Sequence, residues 1–222
     1  MFAAASGSLR TLEKVLRQGA RVDVKNELGF TAMHFAAKAK NDNSDVIKEL
    51  EHQGLSVNVR ATGKWCEEMQ TDDGFTPLHL VESAGSTATL IELGADPDDF
   101  GLALDGRERG TCTFFAAANN KAPVLKVLLD SGRALISGSY CWWAAKFGYV
   151  EVVKVLLDYG HFDLGFVREK KTIAQIVFET GTYNRRLRNK CNEIIKLLNE
   201  AGAPDEKPPD ALGPVYGIPY KY

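Results

Sequence analysis

An all-α solenoid built from helix–turn–helix repeats is the fold class this sequence predicts, and three observations predict it. The stretch Ser139–Gly160, SYCWWAAKFGYVEVVKVLLDYG, reads as two short helices joined by a glycine turn. Its pattern recurs about six times along the 222 residues, which is the signature of a stacked array. A single hairpin of this size cannot bury its own apolar face, so every copy needs a neighbour of the same kind.

The best copy justifies its own elements. Ser139 is placed to cap the first helix through its side-chain oxygen, and Gly148 to end it in a left-handed conformation. Ala144 and Ala145 are small enough for a neighbouring helix to approach closely. Val152, Val153, Val155, Leu156 and Leu157 then form an apolar stripe at helical spacing, with Glu151, Lys154 and Asp158 turned to water and Gly160 closing the helix.

Taken in order, the other copies are Ala3–Gly19, Thr31–Gly54, Thr76–Gly94, Thr111–Gly132 and Thr172–Gly202. The later ones open on Thr, a good N-cap, and Pro77 follows Thr76 at a position where a missing N–H costs nothing. The first copy lacks its capping segment, so it reads as a truncated repeat or as one with sequence missing upstream. Enlarged connections follow Gly54 and Gly94, and an insertion at 182–190, TYNRRLRNK, interrupts the sixth copy. The expected organisation is a repeat domain over 1–204 and a Pro/Gly/Tyr-rich tail over 205–222, whose composition favours extended chain over helix.

Composition narrows the function classes. A formal charge of −2 exerts no global pull on nucleic acid or anionic membrane, and no apolar run approaches a membrane span. The N-terminus has no basic region ahead of its small apolar residues, against a signal peptide. Cys66, Cys112, Cys141 and Cys191 form no CxxC pair, so reduced thiols in a cytoplasmic or nuclear protein are expected, with no metal site. No GxSxG elbow, HExxH, P-loop or dinucleotide fingerprint occurs, and neither a catalytic residue nor a cofactor is assigned. Asp96, Asp98 and Asp99 lack the alternating ligands and closing glutamate of a calcium loop and read as a solvated finger.

The segments TAMH (Thr31–His34), TPLH (Thr76–His79) and GADP (Gly94–Pro97), with the ordered series of caps, small pairs and glycines, resemble the ankyrin repeat. The resemblance covers roughly residues 1–204 and implies a curved stack whose inner helices and β-hairpin fingers form a concave groove. It further implies that His34 and His79 hydrogen-bond backbone groups and link neighbouring repeats. Transferred slot by slot, the family's usual binding positions are Glu27, Leu28, Phe30 and Lys38 in the second copy, and Asp72, Asp73 and Phe75 in the third. They continue through Arg107, Glu108 and Asn119 in the fourth, Lys146 and Phe147 in the fifth, and Arg168 and Lys171 in the sixth. Phe30, Phe75 and Phe147 are expected to be exposed along one groove.

The strongest departure is aromatic. Where the family pattern has histidine and leucine, the fourth copy carries Phe114 and Phe115 and the fifth carries Trp142 and Trp143. Adjacent helical positions point about 100° apart, so one member of each pair should enter the core and the other face the next repeat or the groove. One reading is packing in place of the histidine bridge; the other is an aromatic pocket lined by all four rings. The basic run Arg185, Arg186, Arg188 and Lys190 reads as a solvated face, too narrow for nucleic acid. The leading expectation is a non-catalytic module holding a protein or peptide partner in the groove. The alternatives are a small-molecule or catalytic pocket at copies four and five, or the recognition domain of a larger multidomain protein.

Overall fold

The computed structural model describes residues 1–62, 74–102, 109–160 and 162–203. Among them lie six helix pairs: α1 (Phe2–Ala5) with α2 (Leu9–Arg17), α3 (Ala32–Ala37) with α4 (Ser44–His52), and α5 (Pro77–Leu80) with α6 (Ala84–Glu92). The remaining pairs are α7 (Cys112–Ala118) with α8 (Ala122–Asp130), α9 (Gly138–Lys146) with α10 (Val150–Tyr159), and α11 (Ile173–Tyr183) with α12 (Arg188–Glu200). Odd-numbered helices stack in sequence order to form an inner row, and even-numbered helices form an outer row in the same way. The expected all-α solenoid of repeats is therefore the observed architecture.

Small residues set the spacing of the inner row. Ala36, Ala37, Ala116, Ala117, Ala144 and Ala145 are all buried. The third copy has Val81 and Glu82 in those two slots, and there the inner helix stops after four residues as Val81 turns extended. Its backbone is recovered from the neighbour, the Glu82 N–H donating to Ala37 O at 3.3 Å. Asn43, buried at the turn between α3 and α4, donates to Ala4 O (2.8 Å) and Ala36 O (3.0 Å), tying the first copy to the second.

A second ladder runs through the caps. The Thr31 amide donates to His34 Nδ1 at 3.1 Å, so the imidazole proton sits on Nε2, which donates across the repeat boundary to Phe75 O at 2.9 Å. Thr76 and His79 repeat the reciprocal cap, with the Thr76 amide 3.2 Å from Nδ1. Phe30 and Phe75 stack on these rings at 5.1 and 5.2 Å between centroids. Burial pushes both histidines down to about 4, so each is neutral and keeps the tautomer the ladder requires.

One finger pairs as a β-hairpin among the described residues. In it β1 (Phe100–Leu102) runs antiparallel to β2 (Arg109–Thr111), with Gly101 opposite Gly110. Both glycines are forced by contact with the inner row. A Cβ on Gly101 would lie 2.7 Å from His79 Nε2, and one on Gly110 would lie 2.3 Å from Phe114 Cδ1.

Two expectations from the sequence are overturned. The fifth inner helix is capped by Ser137, not Ser139: α9 begins two residues earlier, and the Ser137 oxygen accepts from the Ser139 amide. Within the 182–190 segment, α11 runs on through Tyr183 and α12 starts at Arg188. The Asp96–Asp99 finger is a latch, not a solvated loop. Asp99 pairs with Arg60, which also donates to Gly74 O and Phe100 O, and Asp98 accepts from the Leu135 amide at 2.8 Å. Asp72, Asp73, Arg107, Glu108, Cys66 and the tail over 205–222 lie outside the described residues. Burial pushes the Cys141 thiol up to about 12 and raises Cys112 and Cys191 as well, which leaves these three buried groups as thiols.

The histidine ladder gives a pH dependence with a definite sign. Between about pH 6.5 and 4 the unfolded chain binds protons on His34 and His79 that the folded chain excludes. Stability from this source is complete above about 6.5 and is lost as pH falls toward 4, by on the order of 3 kcal/mol per histidine. Urea melts from pH 7 to 4.5 should show the loss, and a His34→Gln, His79→Gln chain should show a clearly flatter profile. Identical slopes would refute the assignment.

Candidate functional site

The fourth residue of each inner segment decides what the groove side presents. Phe114 has no proton to donate across the boundary; there Thr111 meets the Tyr140 hydroxyl of the next copy at 3.1 Å instead. Trp142 keeps the bridge. Its indole N–H donates to Lys171 O at 3.1 Å, the carbonyl just before the Thr172 cap, as His34 does to the carbonyl before Thr76. Trp142 is fully buried by this contact, which turns the adjacent Trp143 outward, half-buried.

From Trp143 the aromatic surface continues along the end of α9. Phe147 stacks on Trp143 at 5.5 Å and 9° between planes, and Tyr149 follows at 5.8 Å. Phe147 is 42% exposed. These rings, with Phe114 and Asn119, line a notch of about 210 Å³. Above the tryptophans sit two cations: Lys146 Nζ lies 4.7 Å from the Trp142 ring and 5.4 Å from Trp143, and the Arg168 guanidinium carbon lies 4.9 Å from Trp143. The Trp143 indole N–H is shielded from solvent and has no acceptor among the described residues.

Lys146 also borders an open cleft of about 870 Å³ between the 168–171 finger and α11. Glu169 pairs with Lys146 at 3.1 Å, and Lys171 pairs with Glu179. Arg185 and Arg186 line the same cleft and make no ion pair among the described residues. The finger is a two-residue turn closed by Arg168 and Lys171, whose amides and carbonyls pair at 3.0 and 2.9 Å. Its central residues are Glu169 (φ 54°) and Lys170 (φ 62°), both left-handed without being glycine. Such a turn ordinarily calls for Asn-Gly, and each misfit residue costs on the order of 1 kcal/mol.

A family model for ankyrin repeats matches residues 1–101 in three copies. A solved ankyrin repeat domain from Acinetobacter baumannii AYE superposes on 90% of this chain and 96% of its own, with a TM-score of 0.58 at 20% identity. Residues 1–101 carry ankyrin repeats, and the chain takes the ankyrin-repeat fold.

Curated relatives include the human transient receptor potential cation channel subfamily A member 1, 28% identical over 71% of this chain and 17% of that protein. The ankyrin repeat and SOCS box protein 3 of Bos taurus is 32% identical over 72% of this chain and 29% of its own, and the human form is 32% identical over 44% and 18%. The chain thus spans less than a third of the length of each.

On this ankyrin frame the expected binding slots separate. Lys146, Phe147, Arg168 and Lys171 converge with Trp143 around the notch and cleft, and Asn119 joins them from the fourth copy. Glu27, Leu28 and Lys38 are exposed on the second copy, away from this cluster. The exposure expected of Phe30 and Phe75 is overturned: at 5% and 8% exposed, both are spent on stacking against their histidines. A pocket lined by all four rings of copies four and five is also overturned. Phe115 packs edge-on against Phe75 at 4.8 Å and Trp142 is core, leaving Phe114 and Trp143 in the smaller notch. Sequence reading did not draw Tyr149 and Tyr183 into the site. Nor did it give Arg185 and Arg186 a common cleft with Lys146, because α11 has to run past Gly181 to bring them there. Among the described residues no cluster of three or more His, Cys, Asp or Glu is placed to hold a metal, and no helix is long and apolar enough to cross a membrane.

If Trp142 carries the inter-repeat bridge, Trp142→Phe should cost about 1–3 kcal/mol in urea unfolding, since it strands the Lys171 carbonyl while keeping most of the apolar volume. Trp143→Phe, whose N–H has no acceptor to lose, should cost less. The reverse order would contradict the assignment.

Proposed function

We propose that this chain is a non-catalytic recognition module that holds a segment of a partner protein on its groove face at copies four to six. The observation that carries the reading is the stacked aromatic surface of half-buried Trp143, exposed Phe147 and half-buried Tyr149 beside an open cleft, where the equivalent region of the second and third copies has Phe30 and Phe75 buried. Ankyrin repeats generally mediate protein–protein interaction, and a face with exposed rings among mixed charges is where interfaces concentrate their energy. The notch supports a side chain better than a free metabolite: about 210 Å³ falls below the roughly 300–1,000 Å³ of small-molecule sites. The relatives are several times longer than this chain, which supports a role as the recognition segment within a larger protein.

Phe147→Ala should weaken a partner recovered by cross-linking by about 1–2 kcal/mol, roughly tenfold in Kd, without moving the melting temperature. Leu28→Ala, which removes an exposed side chain on the second copy, should leave affinity unchanged. Binding that responds to Leu28 and ignores Phe147 would place the partner elsewhere.

A further inference from the structure

Charge is distributed unevenly over this chain. Its formal net charge is −2, yet the large cleft is lined by Lys146, Lys171, Arg185 and Arg186 against only Glu169 and Glu179. Both carboxylates are engaged, Glu169 by Lys146 and Glu179 by Lys171, so the arginines have no acid to meet among the described residues. Lys146 and Phe147 are consecutive, and one borders the basic cleft while the other lines the aromatic notch. A single extended segment crossing the end of α9 would therefore touch both.

We propose that the segment held here is an acidic peptide carrying an aromatic side chain: its carboxylates face Arg185, Arg186 and Lys146, and its ring enters the notch beside Trp143 and Phe147. This deepens the proposed function and rests on it. Within the site, Glu169 is the peptide's internal stand-in. Its carboxylate lies 3.1 Å from Lys146 Nζ, and it is held there by a turn whose two central residues are left-handed without being glycine. An incoming carboxylate competes with Glu169 for Lys146 and releases that turn from its constraint. A protein segment is favoured over nucleic acid because the cations converge on one cleft that also contains two carboxylates, not on a continuous basic track.

The test uses the whole chain and fluorescence anisotropy with a labelled peptide of alternating glutamate and serine around one phenylalanine. Its glutamine counterpart, its alanine counterpart at the aromatic position, and an oligothymidylate run alongside. The glutamate–phenylalanine peptide should bind about tenfold more tightly than the glutamine or alanine version, with affinity falling as salt rises. Arg185→Ala with Arg186→Ala should weaken it by about tenfold, and Glu169→Gln should tighten it by about threefold by removing the internal competitor. Both substitutions are at exposed positions, and unchanged circular-dichroism melts verify the fold.

Equal affinity for the glutamate and glutamine peptides, with Phe147→Ala still weakening both, would overturn the acidic partner while leaving the groove reading intact. Binding of neither peptide would overturn both. Weaker binding by Glu169→Gln would refute the stand-in role, and preference for the oligonucleotide would replace the acidic peptide by a phosphate chain.

Discussion

The structure depends on one hydrogen bond made at two boundaries, by His34 and by Trp142, from the fourth residue of an inner segment to the backbone carbonyl that precedes the next copy's cap. In a solenoid each unit contacts only its neighbours, so stability resides in the boundaries. A carbonyl buried at such a boundary costs about 1–3 kcal/mol if it has no donor. His34 supplies that donor to Phe75 O. Because its other ring nitrogen accepts from the Thr31 amide, one side chain fixes both the start of its own helix and the position of the next.

The same bond organises the candidate site. Replacing histidine by Trp142 keeps the donor but adds a larger ring, which fills the boundary between the fifth and sixth copies. The bridge orients Trp143 toward the groove, and it fixes Lys171 O, and so the finger carrying Arg168 and Glu169, directly over the two indoles. Stability and the proposed recognition are therefore coupled in this part of the stack: the bond that closes the boundary also positions the aromatic and cationic groups. In the second and third copies His34 and His79 are covered by Phe30 and Phe75, and of the two only His34 bridges to the next copy among the described residues.

Much of this was legible in the sequence. The spacing of caps, alanine pairs and glycines gave the two rows of helices, and the Trp142–Trp143 pair marked the place where the chain departs from a generic scaffold. What sequence could not decide was which ring of an adjacent pair faces inward, since a 100° step says only that the two differ. The choice is made by the Lys171 carbonyl, twenty-nine residues away, which only an N–H at position 142 can reach. Phe30 and Phe75 were misread for a related reason. Their slot in the repeat suggests exposure, whereas each is covered by the histidine ring four residues on, and Phe75 also by Phe115 of the next copy. Likewise the Asp96–Asp99 latch joins residues nearly forty positions apart, Arg60 with Asp99 and Asp98 with Leu135, beyond any local pattern.

The central claim is that the proposed binding is confined to copies four to six because the Trp142 bridge positions the aromatic and cationic surface there. Amide hydrogen exchange of the intact chain, with and without the acidic phenylalanine peptide, tests it most directly. The account predicts new protection over residues 143–149 and 168–186 and none over 27–38. Protection centred on the second copy, with residues 143–149 unchanged, would contradict it.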